Sequence, residues 1–197
     1  MNTIPLQWII VTGVAVVALL AVAVWLLSQK RKQSARLQKR FGPEYSRTVG
    51  ELGGRTKAES ELKAREKRVE HFSITPLSPA EAARFSQAWS ALQSRFVDTP
   101  QGVVVQAEQL VRELMIKLGY PMGDFERRAA DISVDHPAVV ENYRAAQTIA
   151  ARDQRGEADT EELRKAVVHY RILFDEMLDV TEARQEAPSA QQMAVHS

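Results

Sequence analysis

The sequence predicts an all-α protein: one N-terminal transmembrane helix, a charged helical stalk and a cytoplasmic bundle of about five helices. Three observations carry this reading. Trp8 to Leu27 is a run of twenty residues without a charge, the length that spans about 30 Å of hydrocarbon as a helix. Five later segments repeat their apolar residues at the 3.6-residue helical period. No segment alternates convincingly with the two-residue period of a half-buried strand.

Taken in order, residues 1–7 are expected as an extracytoplasmic N-terminus and 8–27 as the transmembrane helix. Residues 28–72 form a basic juxtamembrane helical neck, 73–180 the bundle, and 181–197 a disordered tail. The first seven residues hold no Lys or Arg, whereas Lys30, Arg31, Lys32, Arg36, Lys39 and Arg40 follow the apolar run. That asymmetry is the positive-inside pattern and directs the N-terminus outward and the rest to the cytoplasm. Trp8 and Trp25 lie near the two ends of the run, where indoles favour the bilayer interface. The apolar run exceeds the h-region of a cleaved leader, and no small-residue cleavage site stands out, so an uncleaved signal-anchor is expected.

The net charge of +1 conceals a division. Residues 28–72 carry 13 Lys/Arg against 6 Asp/Glu, a balance of +7, and residues 73–197 carry 13 against 19, a balance of −6. The basic cluster suits an anionic membrane surface, and the lipid bilayer is its expected partner. The acidic body has no basic face of the kind nucleic-acid binding requires. With no cysteine in the chain, disulfides, thiolate metal sites and cysteine nucleophiles are excluded together.

In the neck, Phe41-Gly42-Pro43 should break the anchor helix, with Pro43 opening a new one and Glu44 complementing its dipole. Gly50, Gly53 and Gly54 make a second interruption. The segment from Thr56 to Phe72 reads as a largely solvated helix, since its apolar content is only Ala58, Leu62, Ala64 and Val69, a charged stalk that lies against the body or stands away from it. Glu59–Lys63 and Glu61–Arg65 are spaced as i,i+4 pairs.

The body begins at a capping box, Ser78-Pro79-Ala80-Glu81. Phe85, Trp89, Leu92 and Phe96 then form one face, an aromatic stripe read as core. Val103, Ala107, Leu110 and Leu114 line the next helix, ended by Gly119 and Pro121. Asp124 caps a short helix to about Ile132. Asp135 is read as the cap of a helix opening at Pro137, with Val139, Val140, Tyr143 and Ala146 inward and Gly156 at its end. Asp159 caps the last helix, whose stripe is Leu163, Val167, Tyr170, Phe174 and Met177.

No phosphate-binding glycine loop, H-E-x-x-H or G-x-S-x-G occurs. The densest set of chemistry-bearing residues is Asp131, Asp135, His136 and Glu141. Those types could supply hard metal ligands or an acid–base pair, against the simpler reading of Asp135 as a helix cap. Tyr120, Phe125 and Tyr143 are aromatic residues that line a pocket or fill the core.

The segments LQKRFGPEYSRTV, RFVDTP and GYPMGDFERRAADISVDHPAVVENYRAA resemble those of an uncharacterised family of bacterial single-pass membrane-anchored proteins. The resemblance spans roughly residues 36–178 and implies a bacterial inner-membrane protein of this architecture. It implies no activity and no catalytic residue. Ser46 and Gln147 stand where members of that family often have Asp and His.

The expectation is therefore a membrane-tethered, non-enzymatic interaction or scaffold protein with a protein partner and no cofactor. The competing class is a small metal- or acid/base-dependent enzyme using Asp131, Asp135, His136 and Glu141.

Overall fold

The computed structural model describes the side chains of residues 19–179 and traces helical backbone from residue 6 to residue 195. Eight helices and no strand appear among the described residues: α1 (Leu6–Phe41), α2 (Pro43–Leu52), α3 (Arg55–Val69), α4 (Pro79–Ser94), α5 (Pro100–Leu118), α6 (Phe125–Asp135), α7 (Val140–Asp153) and α8 (Thr160–Val195). The chain divides into two units, residues 1–40 and 41–197.

The first unit is one uninterrupted helix. Among the described residues no helix is long and apolar enough to cross a membrane. The side chains of residues 8–18, the first half of the run expected to span, lie outside the described residues. Residues 19–33 of the helix are exposed, and Leu19, Leu20, Val22, Val24, Trp25, Leu26 and Leu27 are between 49% and 70% accessible, whereas Leu37 is buried.

The second unit holds the predicted five-helix bundle as α4 to α8. The capping box at Ser78 is complete, since its hydroxyl accepts from the Glu81 amide while Glu81 accepts from the Ser78 amide. Asp124 caps α6 through the Arg127 amide, and Asp159 caps α8 through the Glu162 amide. Each satisfies backbone donors that a helix start leaves unpaired. The aromatic stripe of α4 is core: Phe85, Trp89 and Leu92 are buried, and Phe96 packs against the same cluster from a half-buried position. Phe174 of α8 meets Trp89 at 4.7 Å between ring centroids. Val103 and Val104 face inward from α5, so the β-branched run Val103-Val104-Val105 serves a helix.

Gly119 ends α5 at φ 95°, in the left-handed region. A Cβ there would stand 2.4 Å from the Ser73 carbonyl oxygen, because the linker into α4 crosses directly over this turn and pairs Thr75 N–H with the Leu118 carbonyl. Gly119→Ala should therefore cost at least ~2 kcal/mol, combining left-handed strain with a backbone clash. Chemical denaturation checks this, and Gly156→Ala is the control. Gly156 is also left-handed but has open space around its Cβ position, so only the strain should register there.

Two expectations need correction. Asp135 does not cap the following helix; it is the last residue of α6, and α7 starts only at Val140 behind an uncapped Val139. The helix that Asp124 caps runs eleven residues, to Asp135 rather than to about Ile132. Of the two placements open to the stalk helix, α3 takes the one against the body and is less solvated than expected, since α2 and α3 pack together and α3 packs on α6. Ala58, Leu62, Arg65 and Val69 recur at steps of four, three and four and are all buried, whereas Ala64 is exposed. An arginine occupies one of the inward positions, which is why the stripe looks too thin in sequence. The backbone of α8 is traced to Val195, across the segment expected as a disordered tail over 181–197. The side chains from residue 180 onward lie outside the described residues.

Candidate functional site

The sequence directs attention to α6, and α6 is where the buried polar groups concentrate. Every residue from Arg128 to Val134 is buried. A helix covered on one side buries a stripe; seven consecutive buried residues mean that α6 is covered on opposite sides. Ala129 and Ile132 belong to the bundle core, while Ala130 and Val134 are buried outside it.

The four predicted residues divide among separate jobs. Asp131 is buried, and its Oδ1 accepts from Arg68 Nε at 2.8 Å and lies 2.7 Å from Arg68 Nη2. Both guanidinium nitrogens converge on that one oxygen, a charge-assisted contact that leaves the second oxygen out. Its Oδ2 accepts no hydrogen bond and stands 4.0 Å from Arg127 Nε. Asp135 accepts a hydrogen bond from the Tyr120 hydroxyl at 3.1 Å. His136 is buried at the C-terminal end of α6, with its Nδ1 3.5 Å from Glu176 of α8. Glu141 is exposed in the first turn of α7. Among the described residues no three His, Asp or Glu side chains converge as a metal site. Asp131 and Asp135 are instead engaged separately, each by a donor from outside α6.

Tyr120 and Tyr143 belong to the bundle core, and Phe125 packs against it. The Tyr143 hydroxyl accepts from Arg128 Nε at 3.0 Å, and the Arg128 Nη1 donates to the Gly123 carbonyl at 2.7 Å. Arg128 thereby ties the loop before α6 to α7. Phe125 packs on Tyr143 at 4.9 Å. Burial raises the pKa of Tyr143, and raises that of Tyr170 much further, so both stay neutral phenols over the physiological range. Gln147 accepts from Tyr170 at 3.3 Å, an ordinary structural bond.

The constellation that sequence reasoning missed is centred on Glu44. Its side chain is fully buried, and Oε1 receives Arg65 Nη1 at 3.0 Å, Arg144 Nη2 at 3.1 Å and Arg47 Nη1 at 3.5 Å. Arg144 also holds Glu126 at 2.7 Å, and Arg65 holds Glu61 at 3.1 Å. The second oxygen, Oε2, is buried without a hydrogen-bond partner. Residues from α2, α3 and α7 thus meet on one carboxylate, 100 positions apart in the chain for Glu44 and Arg144. Glu44 looks in sequence like a routine first-turn acid, and Arg65 like the partner of Glu61. Only the Glu61–Arg65 pair was legible, because its spacing is local.

A cleft of about 580 Å³ lies between the starts of α5 and α8 and is lined by Asp98, Thr99, Pro100, Ala158, Asp159 and Leu163. The chain matches no protein-family model, and neither a curated protein nor a solved structure is significantly similar to it.

Proposed function

We propose that the protein is a membrane-tethered, non-enzymatic helical scaffold that presents its bundle on the cytoplasmic face of a bacterial inner membrane to a protein partner. The observation that carries the tether is the state of α1: seven large apolar side chains between Leu19 and Leu27 are exposed. Bare apolar surface of that extent asks for a nonpolar environment. It continues the uncharged run from Trp8, and six cations follow it, as at the cytoplasmic end of a single span.

The non-enzymatic part is supported by how the acidic residues are used. Asp131, Asp135 and Glu44 each receive donors from outside their own helix, so their lone pairs serve packing. Alkaline carbonate extraction of native membranes tests the tether. The chain is expected to stay with the lipid fraction, and release into the supernatant would end the proposal. Photo-crosslinkers placed at exposed body positions such as Val97 and Val168 test the scaffold role. A discrete crosslinked species is expected in native membranes, and its absence at every exposed position would remove that role.

A further inference from the structure

We infer that α2 and α3 form a clamp that opens as a unit from α6 while the bundle stays folded. This inference does not depend on the tether. Two independent observations carry it.

The first is that the buried apolar residues fall into separate sets. The bundle core is one cluster running from Leu77 to Leu178. Phe41, Tyr45, Ala58, Leu62 and Val69, all buried, are not part of it. On α6, Ala130 and Val134 belong with this outer set, whereas Ala129 and Ile132 belong to the core. Opening the clamp therefore uncovers one face of α6 without removing any side chain from the bundle core. Regions that share no apolar core with their neighbours are the ones that open below the global unfolding free energy.

The second is the chemistry of the seam. Ion pairs cross from the α2–α3 pair to the rest of the bundle: Arg68–Asp131, Arg144–Glu44 and, at 3.9 Å, Arg47–Glu126. Ion pairs lose much of their attraction to the cost of desolvating both partners. When the seam opens, those charges regain water, and that gain offsets the lost pairing. Glu44 Oε2 and Asp131 Oδ2, each buried without a hydrogen bond, would both be satisfied by water in the open form. An apolar seam has no such compensation. The hinge is equally defined, since Phe72 and Ile74 pack on the core and Thr75 N–H is bonded to the Leu118 carbonyl. The chain just after α3 is thus pinned to the bundle, and the movement is confined to the residues before it.

The absence of cysteine in the chain makes the test direct. Single cysteines at Val134, under the clamp, and at Ala107, in the bundle core, are introduced into the full chain and exposed to a thiol reagent under native conditions. Val134→Cys should react on the order of 100-fold faster than Ala107→Cys, as expected of a local opening compared with global unfolding. Adding Arg68→Gln should speed the reaction at position 134 by about tenfold and leave position 107 within about twofold. Equal rates at the two positions, or equal acceleration of both, would overturn the clamp. A second pair of single cysteines on α6 gives the second reading. Ala130→Cys, outside the core, should react about as fast as Val134→Cys, and Ile132→Cys, inside the core, about as slowly as Ala107→Cys. Equal rates at 130 and 132 would contradict the inference.

Discussion

Replacing Glu44 with alanine should destabilise the second unit by about 3 kcal/mol, towards the lower end of the range for breaking a buried ion pair by removing one partner. The carboxylate is fully buried and meets three guanidinium groups. Its removal leaves Arg65 and Arg144, whose side chains are 9% and 10% accessible, facing one another without the intervening negative charge. Each retains a second acid, Glu61 and Glu126, but those are 41% and 69% accessible and well hydrated. The retained pairs place the loss at the low end of the range. Glu44→Gln keeps an acceptor in place and should lose less, while still removing the charge. Urea unfolding of the three proteins checks the order: wild type most stable, then the glutamine variant, then the alanine variant. A loss below about 1 kcal/mol for alanine would mean that the cluster contributes no more than a surface salt bridge.

Trp89→Ala should cost about 3–5 kcal/mol, the usual loss for truncating a fully buried tryptophan. Trp89 has no accessible surface, stacks on Phe174 at 4.7 Å and carries the Arg171 guanidinium 5.7 Å from its ring centroid. Its indole N–H is buried without a hydrogen-bond partner, so the ring is held by shape and apolar contact. That makes Trp89→Phe the informative companion, because it deletes the unpaired donor along with part of the ring volume and should cost appreciably less. For a unit of this size each kcal/mol lowers the melting temperature by roughly 2–4 °C, so the alanine variant should melt roughly 6–20 °C below wild type. The two sites also differ in what they loosen. Trp89 ties α4 to α8 within the core, so its loss should be felt across the bundle. Glu44 lies in the clamp seam, so its loss should be felt first in α2, α3 and the outer face of α6.

The helices were legible because their signals are local. Ser78 with Glu81, Asp124, Asp159 and Gly119 are each read within a turn or two of chain, and each is found doing the predicted work. The core was legible for the same reason: the stripe of Phe85, Trp89 and Leu92 follows the period of one helix. Polar residues that act across helices left no such trace. Asp131 and Arg68 are 63 positions apart, and nothing near either identifies the other. Asp135 beside Pro137 imitated a cap closely enough to misplace a helix boundary, because an N-cap acid and a last-turn acid differ only in whether the next residues continue as helix. The neck was misjudged because amphipathicity is scored on apolar residues alone. Arg65 fills an inward slot between Leu62 and Val69, and its burial depends on a carboxylate that the local sequence does not contain.

For the candidate site the consequence is specific. Asp131, Asp135 and His136 are close in sequence, but the groups they meet lie on different elements: Arg68 on α3, Tyr120 after α5 and Glu176 on α8. Glu141 stands apart from them, exposed at the start of α7. Proximity along a helix places side chains on different faces, and α6 is covered on two of them. The same covering makes α6 the part of the bundle most exposed to change if the clamp moves.

The tethered arrangement is tested most directly by single-cysteine labelling in intact cells with a reagent that does not cross membranes, again using the cysteine-free background. Thr3→Cys and Thr160→Cys place one thiol before the apolar run and one in the body. The account predicts labelling of residue 3 from outside intact cells and labelling of residue 160 only after the membrane is opened. Labelling of residue 160 in intact cells, or of neither until lysis, would contradict it.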